Sequence, residues 1–114
     1  MLVPLEVDIL EASVTLRARG VGEAHGFLLA RSMGDRTGAK RLTAYGTLYK
    51  ALDRLERAGC LVSRWEDPEH AAEAARPRRR FYRMTSVGET ALADARAAAA
   101  TAIGQPSPTG ARAG

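Results

Sequence analysis

The stretch Arg76-Pro77-Arg78-Arg79-Arg80 packs four guanidinium groups into five residues. Like charges at that density repel one another, and a partner that accepts forked hydrogen bonds, such as phosphate or a guanine edge, relieves them. The basic excess is concentrated nearby. Residues 1–39 carry four basic and five acidic side chains, residues 40–83 eleven and six, and residues 84–114 two and two. A nucleic acid is the partner such a distribution suggests first. Catalytic chemistry has little to work with. His25 and His70, the only histidines, do not stand at metal-ligand spacing with Cys60, no glycine-rich phosphate loop precedes a helix, and Ser63 and Ser86 lack a credible histidine base nearby in sequence. No enzyme, metal or cofactor is expected.

The elements that must position the arginines follow from periodicity. Pro4 to about Arg19 reads as a first helix, opened by a proline and stopped by Gly20. Its apolar residues form two stripes, Leu5, Ile9, Ala12 and Leu16 beside Val3, Val7, Leu10 and Val14. So wide an apolar arc is either central in its own domain or shared with a second subunit. A second helix is expected from Glu23 to about Met33, with Ala24, Phe27, Leu28 and Met33 on or near one face, His25 as a packing residue, and Gly26 marking close approach to the first helix. Turn residues 34–38 follow. Thr43 can cap a third helix over Ala44–Ala58, buried through Leu48, Leu52 and Leu55 and ended by Gly59. On its outer side Arg54 and Arg57 can pair along the helix with Asp53 or Glu56.

After Gly59 the pattern alternates. Leu61, Ser63 and Trp65 face one way, with Trp65 read as a strand-packing residue, and Arg79 to Met84 supplies a partner strand. Residues 66–78 between them read as a long, mobile tip. Thr85 or Ser86 caps a C-terminal helix of about residues 85–103, Ser86 and Glu89 forming a capping-box pattern, with Leu92, Ala95, Ala99 and Ile103 as a seam of mostly small side chains. Residues 104–114 are too polar to bury and are expected to be a disordered tail.

The chain's 114 residues make one domain, residues 1–103, plus that tail. A lone cysteine excludes an intramolecular disulfide, and no apolar run reaches the roughly 20 residues of a membrane span, so a reducing cytoplasm is the expected setting. Three helices and then a hairpin is the winged helix-turn-helix order. The expected class is mainly α with a two-stranded β-hairpin wing and a C-terminal dimerisation helix. In this arrangement Arg76, Arg78, Arg79 and Arg80 meet phosphates, while Tyr45, Thr47 and Lys50 on the third helix reach base edges. The same fold also serves as a protein–protein adaptor, and the basic wing favours DNA.

Over residues 2 to 95 the chain resembles the PadR-like transcriptional regulators, particularly the short members without a separate C-terminal domain. The resemblance is carried by Pro4-Leu5-Glu6-Val7-Asp8-Ile9-Leu10, Glu23-Ala24-His25-Gly26-Phe27, and Gly46-Thr47-Leu48-Tyr49 with Leu52, Leu55, Glu56 and Gly59. It continues through Ser63-Arg64-Trp65-Glu66, Arg76 to Thr85, Gly88 and Leu92. The family usually has glycine at Ala75 and larger apolar residues in its C-terminal helix. The resemblance implies a repressor of double-stranded DNA acting as a two-fold homodimer on an inverted-repeat operator. The C-terminal helix would pack on the partner's first helix, with Val3, Val7, Leu10, Val14, Leu92, Ala95 and Ala99 at the interface. It also implies that Tyr49 lies at the DNA surface; packing of the Tyr49 ring on the wing is the other reading. Some short members bind planar drugs between subunits on a tryptophan of the C-terminal helix. This C-terminal helix has none, so the resemblance names no small-molecule effector.

Overall fold

The computed structural model describes residues 1–37 and 44–104. In chain order the elements are α1 (Pro4–Ala18), β1 (Ala24–His25), α2 (Gly26–Thr37), α3 (Tyr45–Arg57), β2 (Leu61–Trp65), α4 (Pro68–Glu73), β3 (Arg80–Met84) and α5 (Ser86–Gly104). Thr43 and residues 105–114, with the cap and most of the tail expected there, lie outside the described residues. Ala44 occupies the N-cap position of α3 and makes no side-chain cap.

Helix α1 starts at Pro4 and ends as its residues dictate, with Gly20 at φ +90°. Ile9, Leu10, Ala12 and Leu16 are buried against α2, α3 and α5. Leu10 is therefore part of the protomer's own core and not of an outer stripe. Val7 and Val14 stay half-buried, and Val3 is exposed.

Two boundaries depart from the helical pattern. Residues 24–25 form β1, which pairs with β3 in the register Ala24↔Tyr82 and His25↔Phe81, giving a three-stranded antiparallel sheet of order β1-β3-β2. The open edge of β3 satisfies the backbone there, and this outweighs a local preference for helix. Helix α2 then runs four residues beyond Met33. Leu29, Ala30 and Met33 are buried, and once a helix is packed each further residue adds a hydrogen bond without a new nucleation cost, so Gly34 and Asp35 are carried along.

The wing is more ordered than a polar tip. Strands β2 and β3 pair from Leu61↔Met84 to Trp65↔Arg80. Between them Asp67 Oδ1 accepts the Glu69 N–H at 2.9 Å, Pro68 fills the first turn, and Ala71 is buried, so α4 occupies the segment expected to be mobile. Helix α5 is capped by Thr85, whose Oγ1 accepts the Gly88 N–H at 3.1 Å. A Cβ on Gly88 would collide with the Cys60 carbonyl oxygen, so only glycine lets α5 approach β2 this closely. Glu89 pairs with Arg17 at 2.7 Å instead of closing a capping box with Ser86, and Arg96 bonds Glu11 at 2.8 Å, which sets α5 antiparallel to α1. Leu92 is 2% exposed inside this core, not on an outer seam.

Ala75 has φ +55°, the one non-glycine residue in the left-handed region among the described residues. A Cβ costs roughly 1–2 kcal/mol there. Ala75→Gly should therefore stabilise the fold by about 0.5–1 kcal/mol, after the added flexibility of the unfolded chain is subtracted. Urea denaturation checks this; a lower midpoint in the variant would contradict the strain.

Candidate nucleic-acid interface

The first two turns of α3 present Tyr45, Thr47, Tyr49 and Lys50 to solvent, because Leu48, Ala51, Leu52 and Leu55 take the inner face. The Tyr45 and Tyr49 rings, one turn apart, lie 6.4 Å from each other. Tyr49 leans its phenol against the start of α2, where a Cβ on Gly26 would fall 2.5 Å from the Tyr49 hydroxyl oxygen. Gly26 thus makes room for Tyr49 of α3 and not for α1. Beside it Phe27 is 47% exposed, its ring 6.5 Å from Tyr45. It does not pack on the inner face of α2. His25 Nδ1 accepts the Leu28 N–H at 3.3 Å and so caps α2. Burial foremost, then Arg79 and Arg76, lowers the His25 pKa, which keeps the ring neutral and able to accept.

In the wing the four arginines divide. Glu66 is 2% exposed, and its carboxylate accepts two bonds from the Arg76 guanidinium, at 2.5 and 2.8 Å, and the Arg79 backbone N–H at 3.2 Å. Hydrogen bonding from Arg76, aided by the Arg79 N–H, outweighs burial and holds the Glu66 carboxyl down at about 2. Arg76 is held in this clasp. Arg80 Nε donates to Ser63 Oγ at 3.0 Å and its guanidinium stands 3.5 Å from Glu56, so it joins the wing to α3. Arg78 Nε donates to the Glu66 carbonyl at 2.8 Å. Among the described residues no carboxylate pairs with Arg78 or Arg79.

Trp65 is 53% exposed, with the Arg78 and Arg80 guanidinium carbons 5.7 and 5.3 Å from its ring centre. It shares a strand face with buried Leu61, but that face runs off the core toward the end of the ladder, which corrects the packing reading. Trp65, Arg78 and the half-buried Arg79 of the wing share one crevice of about 510 Å³ with Phe27 of α2 and with Tyr49, Asp53 and Glu56 of α3. Phe27 and Glu66 were not legible as site residues. An Asx-Pro helix start directly after Glu66 is the signal that the wing holds more than a turn.

The remaining helix-three arginines are paired. Arg57 bonds Asp53 one turn back at 3.0 Å, whereas Arg54 reaches across to Glu6 of α1 at 2.7 Å. Burial raises the Glu6 pKa, but the hydrogen bonds from Arg54 and the Val3 N–H prevail and lower it. Of the residues assigned to a subunit interface, Leu10 and Leu92 are enclosed in the protomer, while Val3, Val7, Val14, Ala95 and Ala99 keep exposed surface. Val7 and Ala95 flank a groove of about 900 Å³ between α1 and α5.

The model of the transcriptional regulator PadR-like family matches residues 16–94, from the last turn of α1 through the first half of α5. This chain belongs to the PadR-like family. Among solved structures its fold is similar to a protein described as a candidate transcriptional regulator of Thermoplasma acidophilum, at 23% identity and TM-score 0.66, covering 87% of this chain and 82% of that one. A PadR family transcriptional regulator of Eggerthella lenta is 25% identical with TM-score 0.62, over 83% and 73% of the two chains. A transcriptional regulator of Clostridium thermocellum is 24% identical with TM-score 0.57, over 77% and 74%. No match was found among curated proteins. The PadR-like assignment makes the protein a transcriptional regulator, and the match spans both α3 and the wing. Among the described residues no helix is long and apolar enough to cross a membrane.

The clasp gives this PadR-like wing a pH signature. A carboxyl at about 2 in the fold, against an ordinary 4.5, stabilises the native state fully above pH 4.5, and that contribution is lost as pH falls toward 2. Glu66→Gln should be less stable than the parent at pH 7 and should lose less stability between pH 4.5 and 2. Parallel urea midpoints for the two proteins across that range would contradict the clasp.

Proposed function

We propose that this PadR-like regulator is a repressor that binds double-stranded DNA as a two-fold homodimer on an inverted-repeat operator in the cytoplasm. One observation supports the reading: Arg78 and Arg79, without carboxylate partners among the described residues, share a single crevice with Tyr49 of α3. Phosphate contacts supply affinity common to all sequences, and they come here from Arg78 and Arg79, with Arg80 held against Trp65 and Glu56. Base selection comes from Tyr45, Thr47, Tyr49 and Lys50. The apolar groove between α1 and α5 is filled by the second subunit, with Val3, Val7, Val14, Ala95 and Ala99 nearest the seam. Two recognition helices then stand about one DNA turn, roughly 34 Å, apart. Trp65, flanked by two guanidinium groups, disfavours planar cations, so no effector is assigned.

The division of the wing arginines makes two variants behave differently. Arg78→Ala with Arg79→Ala should reduce the slope of log affinity against log salt by about 0.9 for each phosphate no longer neutralised. Arg76→Ala should lower stability and leave that slope nearly as it was. Fluorescence anisotropy with duplex DNA at several salt concentrations reads both. Equal slopes for the parent and the Arg78/Arg79 double variant would contradict the phosphate role, and no binding to any duplex at low salt would favour a protein–protein adaptor.

Assembly has its own test. Val7→Arg places an unpaired charge in the α1–α5 groove, at a cost of several kcal/mol if the groove is covered by a partner. Light scattering should then report a folded monomer where the parent is a dimer. Leu92→Asp should instead unfold the chain, because Leu92 belongs to the protomer's core. A Val7→Arg chain that remains dimeric would rule out this face.

A further inference from the structure

Phe27, Tyr45 and Tyr49 form a continuous aromatic row from the first turn of α2 to the second turn of α3, and each keeps nearly half of its surface in water at 47, 47 and 45% exposure. Leaving such rings half-uncovered forgoes part of the stabilisation that burial would bring, and an exposed apolar row of this kind marks a contact surface. Phe27 and Tyr49 line the same crevice as Arg78 and Arg79, and Lys50 follows Tyr49 on the exposed side of α3. The two acids of that crevice, Asp53 and Glu56, are paired with Arg57 and Arg80, which leaves the cations in excess. An occupant that complements this surface is anionic and offers small apolar groups at close range. Double-stranded DNA meets both demands at one place, the thymine 5-methyl group on the floor of the major groove. The Tyr49 hydroxyl end is turned against Gly26, so this residue offers ring carbon more than a polar tip to whatever lies in front of it.

We propose that Phe27, Tyr45 and Tyr49 read thymine methyl groups, with Phe27 of α2 extending the reading surface beyond the recognition helix. The inference rests on the DNA-binding reading above and adds to it a base preference and a residue outside α3. An acidic, apolar protein surface is the competing occupant. It predicts no dependence on any single base.

The test uses a duplex selected by the full chain from fragments of the host genome, together with copies carrying deoxyuridine for deoxythymidine at one position at a time. That exchange deletes the methyl group and nothing else. Wild-type protein should lose about fourfold in affinity at one or more thymines in each half-site, the effect of one methyl group's burial. Phe27→Ala or Tyr45→Ala should bind the thymine and uracil copies alike at that same position, with circular dichroism confirming that the exposed substitutions leave the fold intact. Either variant suffices if the other misfolds. Wild-type indifference to uracil at every position, or full discrimination retained by both variants, would overturn the assignment. Failure of the wild type to bind any duplex at low salt would overturn the DNA reading itself, a result distinguishable from both.

Discussion

The buried carboxylate of Glu66 is the constraint around which the wing is arranged. A carboxylate removed from water is tolerated only where donors replace its hydration, and here Arg76 and the Arg79 N–H do so. The backbone on either side follows from that demand. Glu66 N–H donates to the Arg79 carbonyl at 2.7 Å, and Arg78 returns a bond to the Glu66 carbonyl, so the ends of the 66–79 segment are drawn together. Ala75 accepts a left-handed backbone to bring Arg76 into reach. The cluster that looks like one block of charge is thereby divided into a clasp, a brace and two cations with no carboxylate partner among the described residues.

A second set of contacts makes the wing and α3 one surface. Ser63 Oγ donates to Glu56 of α3 at 2.6 Å, and Arg80 bonds Ser63 in turn. On the other side β1 hangs the start of α2 on β3, and His25 caps that helix while its ring meets Phe81 edge-on at 6.1 Å. The two-residue strand matters beyond its length, because it fixes where Gly26 and Phe27 stand relative to Tyr49. Arg64, bidentate to Glu23 and 5.0 Å from the centre of the Phe81 ring, tightens the same junction.

Much of this architecture is legible in the residues alone. Pro4 and Gly20 bracket α1, Gly59 ends α3, and the alternation from Leu61 to Trp65 announces a strand, since each of these rests on local geometry. The departures share a cause. Glu23 to His25 read as helix until β3, nearly sixty residues later, offers an open edge, and Leu10 and Leu92 read as outer seams until α1 and α5 are laid against the rest of the core. In the site, Tyr45, Thr47 and Lys50 could be placed from helical spacing and Tyr49 from the family resemblance, whereas the partners of Arg54, Arg76 and Arg80 could not. Pairing of a surface arginine depends on which carboxylate the fold delivers to it. Glu6 and Glu56 come from elements distant in sequence, and Glu66 looks from the sequence like one more acid in a polar tip.

The division proposed for the wing has Arg76 holding it together while Arg78 and Arg79 meet the DNA. Arginine side-chain Nε–H resonances, followed by NMR as a duplex selected from the host genome is titrated in, separate the two roles residue by residue. The Arg78 and Arg79 signals should move together with the backbone amides at the start of α3, and the Arg76 signal should stay where Glu66 holds it. A large shift at Arg76 with Arg78 and Arg79 unmoved would contradict this division.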